Sequence, residues 1–272
     1  MPNWVTNKLY LKHAEDARFV LRPDDRVYND ERMTVDFNIL VPYPAELDIT
    51  GGYTKPADEP DDVDINIPIG KMSMSKYVDK CVAAGFSAYA AECEYKTQKF
   101  GSPGWYSWCI DHWGTKWNAH NVDKADAFDV IIFDTAWGYP DKWCAELAKH
   151  ADFTLLYADE DTGSNCGWCT FMGGDCVASW DTDQAKRESS LDHADKAVAM
   201  SLYVQGWLYD YTDEDARDNF IMSYELDDLE YLKESVHARR LVRVYDKLPE
   251  LLLPILPQWL IEEEDIENYA RK

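Results

Sequence analysis

Two β-type runs with a helix-compatible segment between them dominate the middle of the chain and argue for a mixed fold. Phe128-Asp129-Val130-Ile131-Ile132-Phe133 is rich in β-branched and aromatic residues. Pro140 suits the first turn of a helix reaching about His150, with Trp143 and Leu147 one turn apart. Phe153 to Ala158 is again strand-like, and Gly163 to Val177 adds one or two short strands around glycines. Strands interleaved with helices predict an α+β sandwich whose helices cover one face of a sheet.

The flanking segments extend this pattern. From Val5 to Leu11 the residues alternate, with Val5, Leu9 and Leu11 on one face and Thr6, Lys8 and Tyr10 on the other, the period of a half-buried strand. Phe37 to Val41 reads as a second strand stopped by Pro42 and Pro44, and Gly51 to Pro68 as a long acidic loop. Lys71 to Phe100 suggests two helical pieces meeting at Gly85, and Trp105 to Trp113 a short helix with an aromatic face. After Trp180 the pattern turns helical. Thr212, followed by Asp213, Glu214 and Asp215, is a helix start; Leu229, Leu232 and Val236 form a stripe, and Pro249 closes the run. These features divide the chain into residues 1–180 and an acidic helical region, 181–272.

Charge restricts the partners. There are 51 Asp and Glu against 27 Lys and Arg, a formal net charge of −24, of which 22 acidic and 11 basic residues follow Trp180. Acidity on both sides of that position belongs to folded surfaces rather than to one tail. It disfavours direct binding to nucleic-acid phosphate, which draws on clustered cations, and steers basic partners inward. The longest apolar stretch, Leu248 to Ile261, is interrupted by Pro249, Glu250, Pro254 and Pro257, so no membrane span is expected. The start, Met1-Pro2-Asn3-Trp4, lacks the basic and apolar pattern of an export signal, and seven cysteines is an odd number. A cytoplasmic protein with reduced thiols is the expectation.

Certain residues stand out in combination: Met1-Pro2-Asn3-Trp4; Phe37-Asn38 leading into Val41-Pro42-Tyr43-Pro44; Trp105-Tyr106-Ser107-Trp108; Trp113-Gly114-Thr115-Lys116-Trp117-Asn118; Phe133-Asp134-Thr135-Ala136-Trp137; and Tyr157-Ala158-Asp159-Glu160. Together they resemble the YubB-type, or Api-ninety-two-like, ferredoxin-like domain family of phages and conjugative plasmids, over about residues 1–180. The resemblance implies a ferredoxin-like sheet with helices on one face and a mobile-element origin. It supplies no catalytic residues and no counterpart for the helical region beyond Trp180.

No constellation completes a catalytic or metal site. Cys166-Gly167-Trp168-Cys169 with Cys176 lacks a second matched pair, and its aromatic neighbours suit strand packing. Asp111, His112, His120 and Asp134 hold acid–base chemistry that nothing in the sequence draws together. Asp159-Glu160-Asp161 lacks the spacing of a calcium loop. No cofactor and no metal is expected. Six tryptophans between Trp105 and Trp143 read mainly as core, with one or two left as exposed anchors. The favoured expectation is therefore a binding protein of mobile-element origin, an anti-defence inhibitor or nucleic-acid mimic of a basic host protein that handles nucleic acid. Its contact charges would be Asp213, Glu214, Asp215, Asp227 and Asp228. An accessory module without inhibitory action and an enzyme of unfamiliar type stay open beside it.

Overall fold

The structure, a computed structural model, describes residues 3–23, 33–47, 63–124, 130–183, 193–206, 216–224, 235–263 and 266. Its frame is an antiparallel sheet of six strands in the order β4-β5-β1-β6-β7-β8. The strands are β1 (Trp4–Leu11), β4 (His120–Lys124), β5 (Val130–Ala136), β6 (Phe153–Asp159), β7 (Cys166–Met172) and β8 (Asp175–Asp181). Two further strands, β2 (Leu21–Pro23) and β3 (Met33–Val35), pair in a separate ribbon.

Helix α3 (Trp105–Trp113) joins β1 to β4, and α4 (Asp141–Leu147) joins β5 to β6. The series β1-α3-β4-β5-α4-β6 with strand order β4-β5-β1-β6 is the split βαββαβ arrangement of a ferredoxin-like fold. β7 and β8 prolong the sheet by hairpins. The first connection carries an insertion: the β2–β3 ribbon, then α1 (Met74–Ala83) and α2 (Ala88–Phe100), which pack on each other around Tyr77, Cys81, Ala91 and Tyr95. Gly85, at φ 97°, makes the turn between them, as expected.

Alternation along the strands separates two cores. Leu9 and Leu11 of β1, Ile131 and Phe133 of β5, and Phe153 and Leu155 of β6 join Trp108, Trp113, Trp143 and Leu147 of α3 and α4 on one face. Tyr10, Leu156, Ala158, Cys166, Trp168 and Trp180 point to the other face. There they meet α5 (His193–Val204), α7 (Val236–Tyr245), α8 (Leu248–Leu252) and α9 (Gln258–Glu263). A further helix, α6 (Ala216–Ser223), adds Phe220, stacked on Tyr245 of α7 at 4.3 Å. The helices of the ferredoxin-like part thus cover one face and those of the C-terminal region the other. The core crosses Trp180, and the indole N–H of Trp168 donates to the Ile255 carbonyl at 2.6 Å.

Two local expectations need correction. Phe37 to Ile39 is a 3-10 turn rather than a strand, because the Asp36 carboxylate accepts the Asn38 N–H and the Asn118 side chain accepts the Phe37 N–H. Those amide bonds are the ones a ladder would need. Pro249 opens α8 rather than closing a run, since proline is tolerated where the first helical N–H groups have no partner.

Candidate functional site

Antiparallel pairing brings the starts of β1, β4 and β7 beside the ends of β5 and β6. The most distinctive motifs of the sequence therefore meet at one end of the sheet. Four hydrogen bonds lock them there. Thr115 donates to the Ala136 carbonyl at 2.8 Å, tying the loop after α3 to β5. Asn7 donates to Thr135 Oγ1 at 2.8 Å beneath it. Asn118 donates to Asp36 at 2.7 Å and accepts the Phe37 N–H at 2.9 Å, which holds the insertion against the same loop. Burial by itself raises the Asp36 carboxyl pKa, but the bonds from Asn118, Asn38 and Arg22 outweigh it and hold the group below the usual carboxylate range. Gly114 ends α3 at φ 82°, where a Cβ would lie 1.9 Å from Asp141 Oδ1 and 2.7 Å from the Asp141 nitrogen.

Over this scaffold lies a surface of aromatic and acidic groups. Trp4, Trp117 and His120 have ring centroids 5.1 to 6.1 Å apart. Lys116 sits over the Trp117 ring at 4.3 Å. Beside them Asp134 accepts from Thr6 at 3.1 Å and from Asn121 at 2.9 Å. Asn3 donates to Asp161 at 2.9 Å and approaches Asp159 at 3.5 Å, while Asp159 accepts the Asp161 N–H at 2.8 Å. Trp137 stands at the rim, 52% exposed.

The backbone is strained at this end. Among the described residues, the non-glycine residues with positive φ are Asn121 (45°), Trp137 (74°) and Asn165 (36°), and all three lie here. Asparagine enters this region readily; a tryptophan does so only when its surroundings impose it. Trp137 is imposed from both sides, its N–H donating to the Asn3 carbonyl at 2.9 Å and its carbonyl accepting from Asn165 at 3.2 Å. The backbone that carries this exposed indole is therefore held in place from both sides.

The sequence candidates fall as follows. Asp134 and His120 are cross-strand partners at this end, whereas Asp111 and His112 ride on α3 over the opposite face, His112 stacked on Trp108 at 4.3 Å. Cys166 and Cys169 sit three apart on β7, so they point to opposite faces and enter different cores; one ion cannot be held by both. Burial pushes the Cys169 and Cys109 thiols up to about 12 and Cys144 well above its ordinary value, which leaves them protonated and unreactive. Among the described residues no group of three or more His, Cys, Asp and Glu could hold a metal ion. Trp108, Trp113 and Trp143 are core and Trp137 is exposed, the division anticipated for the tryptophans. Asp213, Glu214, Asp215, Asp227 and Asp228 lie outside the described residues. Sequence reasoning missed the strain at Asn121, Trp137 and Asn165, for which only the asparagines gave a signal.

Residues 112–201 match the family model described as the ferredoxin-like domain in Api92-like protein. Over this stretch, about a third of the chain, the sequence is similar to the Api92-like ferredoxin-like domain. The Api92-like match takes in the end of α3, β4 to β8, α4 and the first part of α5, so it contains Trp117, Asp134, Trp137 and Asp159 and runs past Trp180, while β1 and most of α3 precede it. No curated protein and no solved structure matches the chain. Among the described residues no helix is long and apolar enough to cross a membrane.

Proposed function

We propose that the protein acts by binding a basic, nucleic-acid-handling protein, and that the aromatic, acidic end of the sheet is its contact surface. The observation that carries this reading is Trp137: a half-exposed indole on a strained, pinned backbone, at the end of the sheet that also carries the carboxylates of Asp134 and Asp161. Large aromatic side chains dominate binding hot spots, and a flanking acidic field speeds encounter with a cationic partner. The net charge of −24 favours the same class of partner. Inhibition of a host defence enzyme by occupying its nucleic-acid site is the form of this proposal that the mobile-element resemblance favours. In that form Asp213, Glu214, Asp215, Asp227 and Asp228 act as steering charges.

The test is capture from bacterial lysate with the wild-type chain and with Trp137→Ala, followed by competition with DNA. A stoichiometric basic partner that Trp137→Ala loses by tenfold or more in affinity, and that DNA displaces, supports the proposal. Reversing the five C-terminal acidic residues to Lys should slow association and flatten its salt dependence. A partner that binds this protein and nucleic acid together, with affinity insensitive to salt, overturns mimicry. Unchanged affinity of Trp137→Ala overturns the assigned surface.

A further inference from the structure

At the opposite end of the sheet, on the face carrying the C-terminal helices, lies a cavity of about 530 Å³. Cross-strand pairing sets Tyr10, Thr154 and Thr170 in one row across β1, β6 and β7. Two threonines beside a tyrosine leave a hollow in that row. Trp259 of α9 stands edge-on to Tyr10 at 5.6 Å and walls one side, and Met172 forms the outer rim. Phe153 and Phe171, neighbours of these threonines along β6 and β7, border it at the strand ends while their stacked rings belong to the opposite core. The volume falls within the ordinary range of small-ligand pockets, and the mixture of aromatic walls with a few placed polar groups is typical of them.

The polar groups are unequally committed. Both oxygens of Asp152 already accept, one from the Gly173 N–H at 2.8 Å and the other from Lys12 at 3.0 Å. Those bonds hold its carboxyl below the usual carboxylate range, the Gly173 N–H contributing most. The donors retain capacity. Lys12 spends one of its three N–H groups on Asp152, and the Thr154 and Thr170 hydroxyls, 2.8 Å apart, use one hydrogen between them and leave the other. Beyond Asp152 a second hollow of about 420 Å³ adds His13 and His150. That hollow is also lined by Asp16 and Lys149, and in a chain of net charge −24 the pocket sets a lysine with spare N–H groups beside two threonine hydroxyls.

We infer that this cavity binds a small amphipathic anion, an apolar or aromatic body seated between Trp259 and the threonine floor with a carboxylate, sulfonate or phosphate head on Lys12. The site shares no residue with the aromatic end, so its fate is separate from that of the proposed partner surface.

Two fluorescent probes of similar shape test it on the full chain: anionic 1-anilinonaphthalene-8-sulfonate and neutral N-phenyl-1-naphthylamine. The sulfonate should bind one equivalent and quench tryptophan emission. Lys12→Gln should weaken the sulfonate about tenfold and leave the neutral probe within twofold, since a hydrogen bond to a charged group is worth about that much. Thr170→Phe should fill the hollow and abolish both. If that variant does not fold by circular dichroism, Met172→Trp at the rim reads the same occlusion. The inference is overturned by a folded wild type that takes no probe, by several equivalents that the filling variant leaves unchanged, or by Lys12→Gln weakening both probes alike or neither.

Discussion

Leu155 and Leu156 are neighbours on β6, both fully buried, and they point into different cores. Leu155 packs with the α3–α4 layer and Leu156 with the C-terminal helices. Truncating either to Ala removes buried methyl groups and leaves a hollow, which costs about 2–5 kcal/mol. For a chain of this size that is roughly 4–20 °C in Tm, at about 2–4 °C per kcal/mol. Because one strand serves both layers, each variant should shift a single cooperative transition, seen at the same urea midpoint by tryptophan fluorescence and far-ultraviolet circular dichroism. Deleting the chain after Trp180 should not yield a cooperatively folding sheet, since it bares Tyr10, Leu156, Ala158, Cys166, Trp168 and Trp180 together. Proteolytic nicking between Trp180 and Ser190 should accordingly leave the two pieces associated. The reasoning fails if unfolding is biphasic with Leu156→Ala moving one phase alone, or if residues 1–180 unfold at the midpoint of the whole chain.

Gly114→Ala should lower stability by about 1–3 kcal/mol or more, because its Cβ meets the backbone nitrogen of Asp141, whereas Gly85→Ala, with open space around it, should show only the cost of its positive φ, about 1 kcal/mol; thermal melts of the pair compare them. Asp36 has a folded pKa below its unfolded value near about 3.9, so its contribution is present above that pH and is lost as pH falls through the lowered folded value. Asp36→Asn should therefore destabilise the protein near neutrality by about 1–3 kcal/mol and flatten the acid limb of a urea-midpoint profile. Native alkylation followed by mass spectrometry should modify exposed Cys176 before buried Cys109, Cys144 and Cys169, and elemental analysis should find no stoichiometric zinc; one zinc per chain would overturn the packing of Cys166 and Cys169 in separate cores.

How far the sequence could be read depended on whether the deciding interactions were local. The alternation of Val5 to Leu11 correctly assigned side chains to faces, yet Thr6, Lys8 and Tyr10 did not define a solvent face. Lys8 is 2% exposed, donating to the Tyr203 carbonyl at 3.1 Å and lying over its ring. A helix nearly two hundred residues away covers that face, and nothing near Lys8 encodes it. Phe37 to Val41 has the composition of a strand and loses that form to Asn118, also distant in sequence. The helical pair broken at Gly85, the aromatic helix after Gly104, and β6 were legible because spacing and turn residues decided them. Of the candidate surface, the motif residues were visible as a set, while their convergence followed only from strand order.

That convergence separates two kinds of residue within each motif. In Trp113-Gly114-Thr115-Lys116-Trp117-Asn118, Trp113 is core, Gly114 admits the start of α4, Thr115 holds β5 and Asn118 holds the insertion; Trp117 alone adds an aromatic ring to the surface cluster. In Phe133-Asp134-Thr135-Ala136-Trp137, Phe133 and Ala136 are buried, Thr135 is bonded within the sheet, and Asp134 and Trp137 face outward. A resemblance carried by such motifs is mostly a resemblance of fold, because most of their residues serve packing and backbone locks. Function has to be argued from the minority that the fold does not consume. At this end of the sheet those are Trp117, Asp134 and Trp137, and Trp137 is the one whose conformation the fold strains to maintain. Packing alone gives no reason to keep an indole outward at φ 74°, since an asparagine or glycine would occupy that position with less strain. The strain is explained if the exposed ring is what the position is for. Trp137→Asn or Trp137→Gly should then stabilise the protein slightly in thermal melts while weakening partner capture; loss of stability without loss of capture would make Trp137 a structural residue after all.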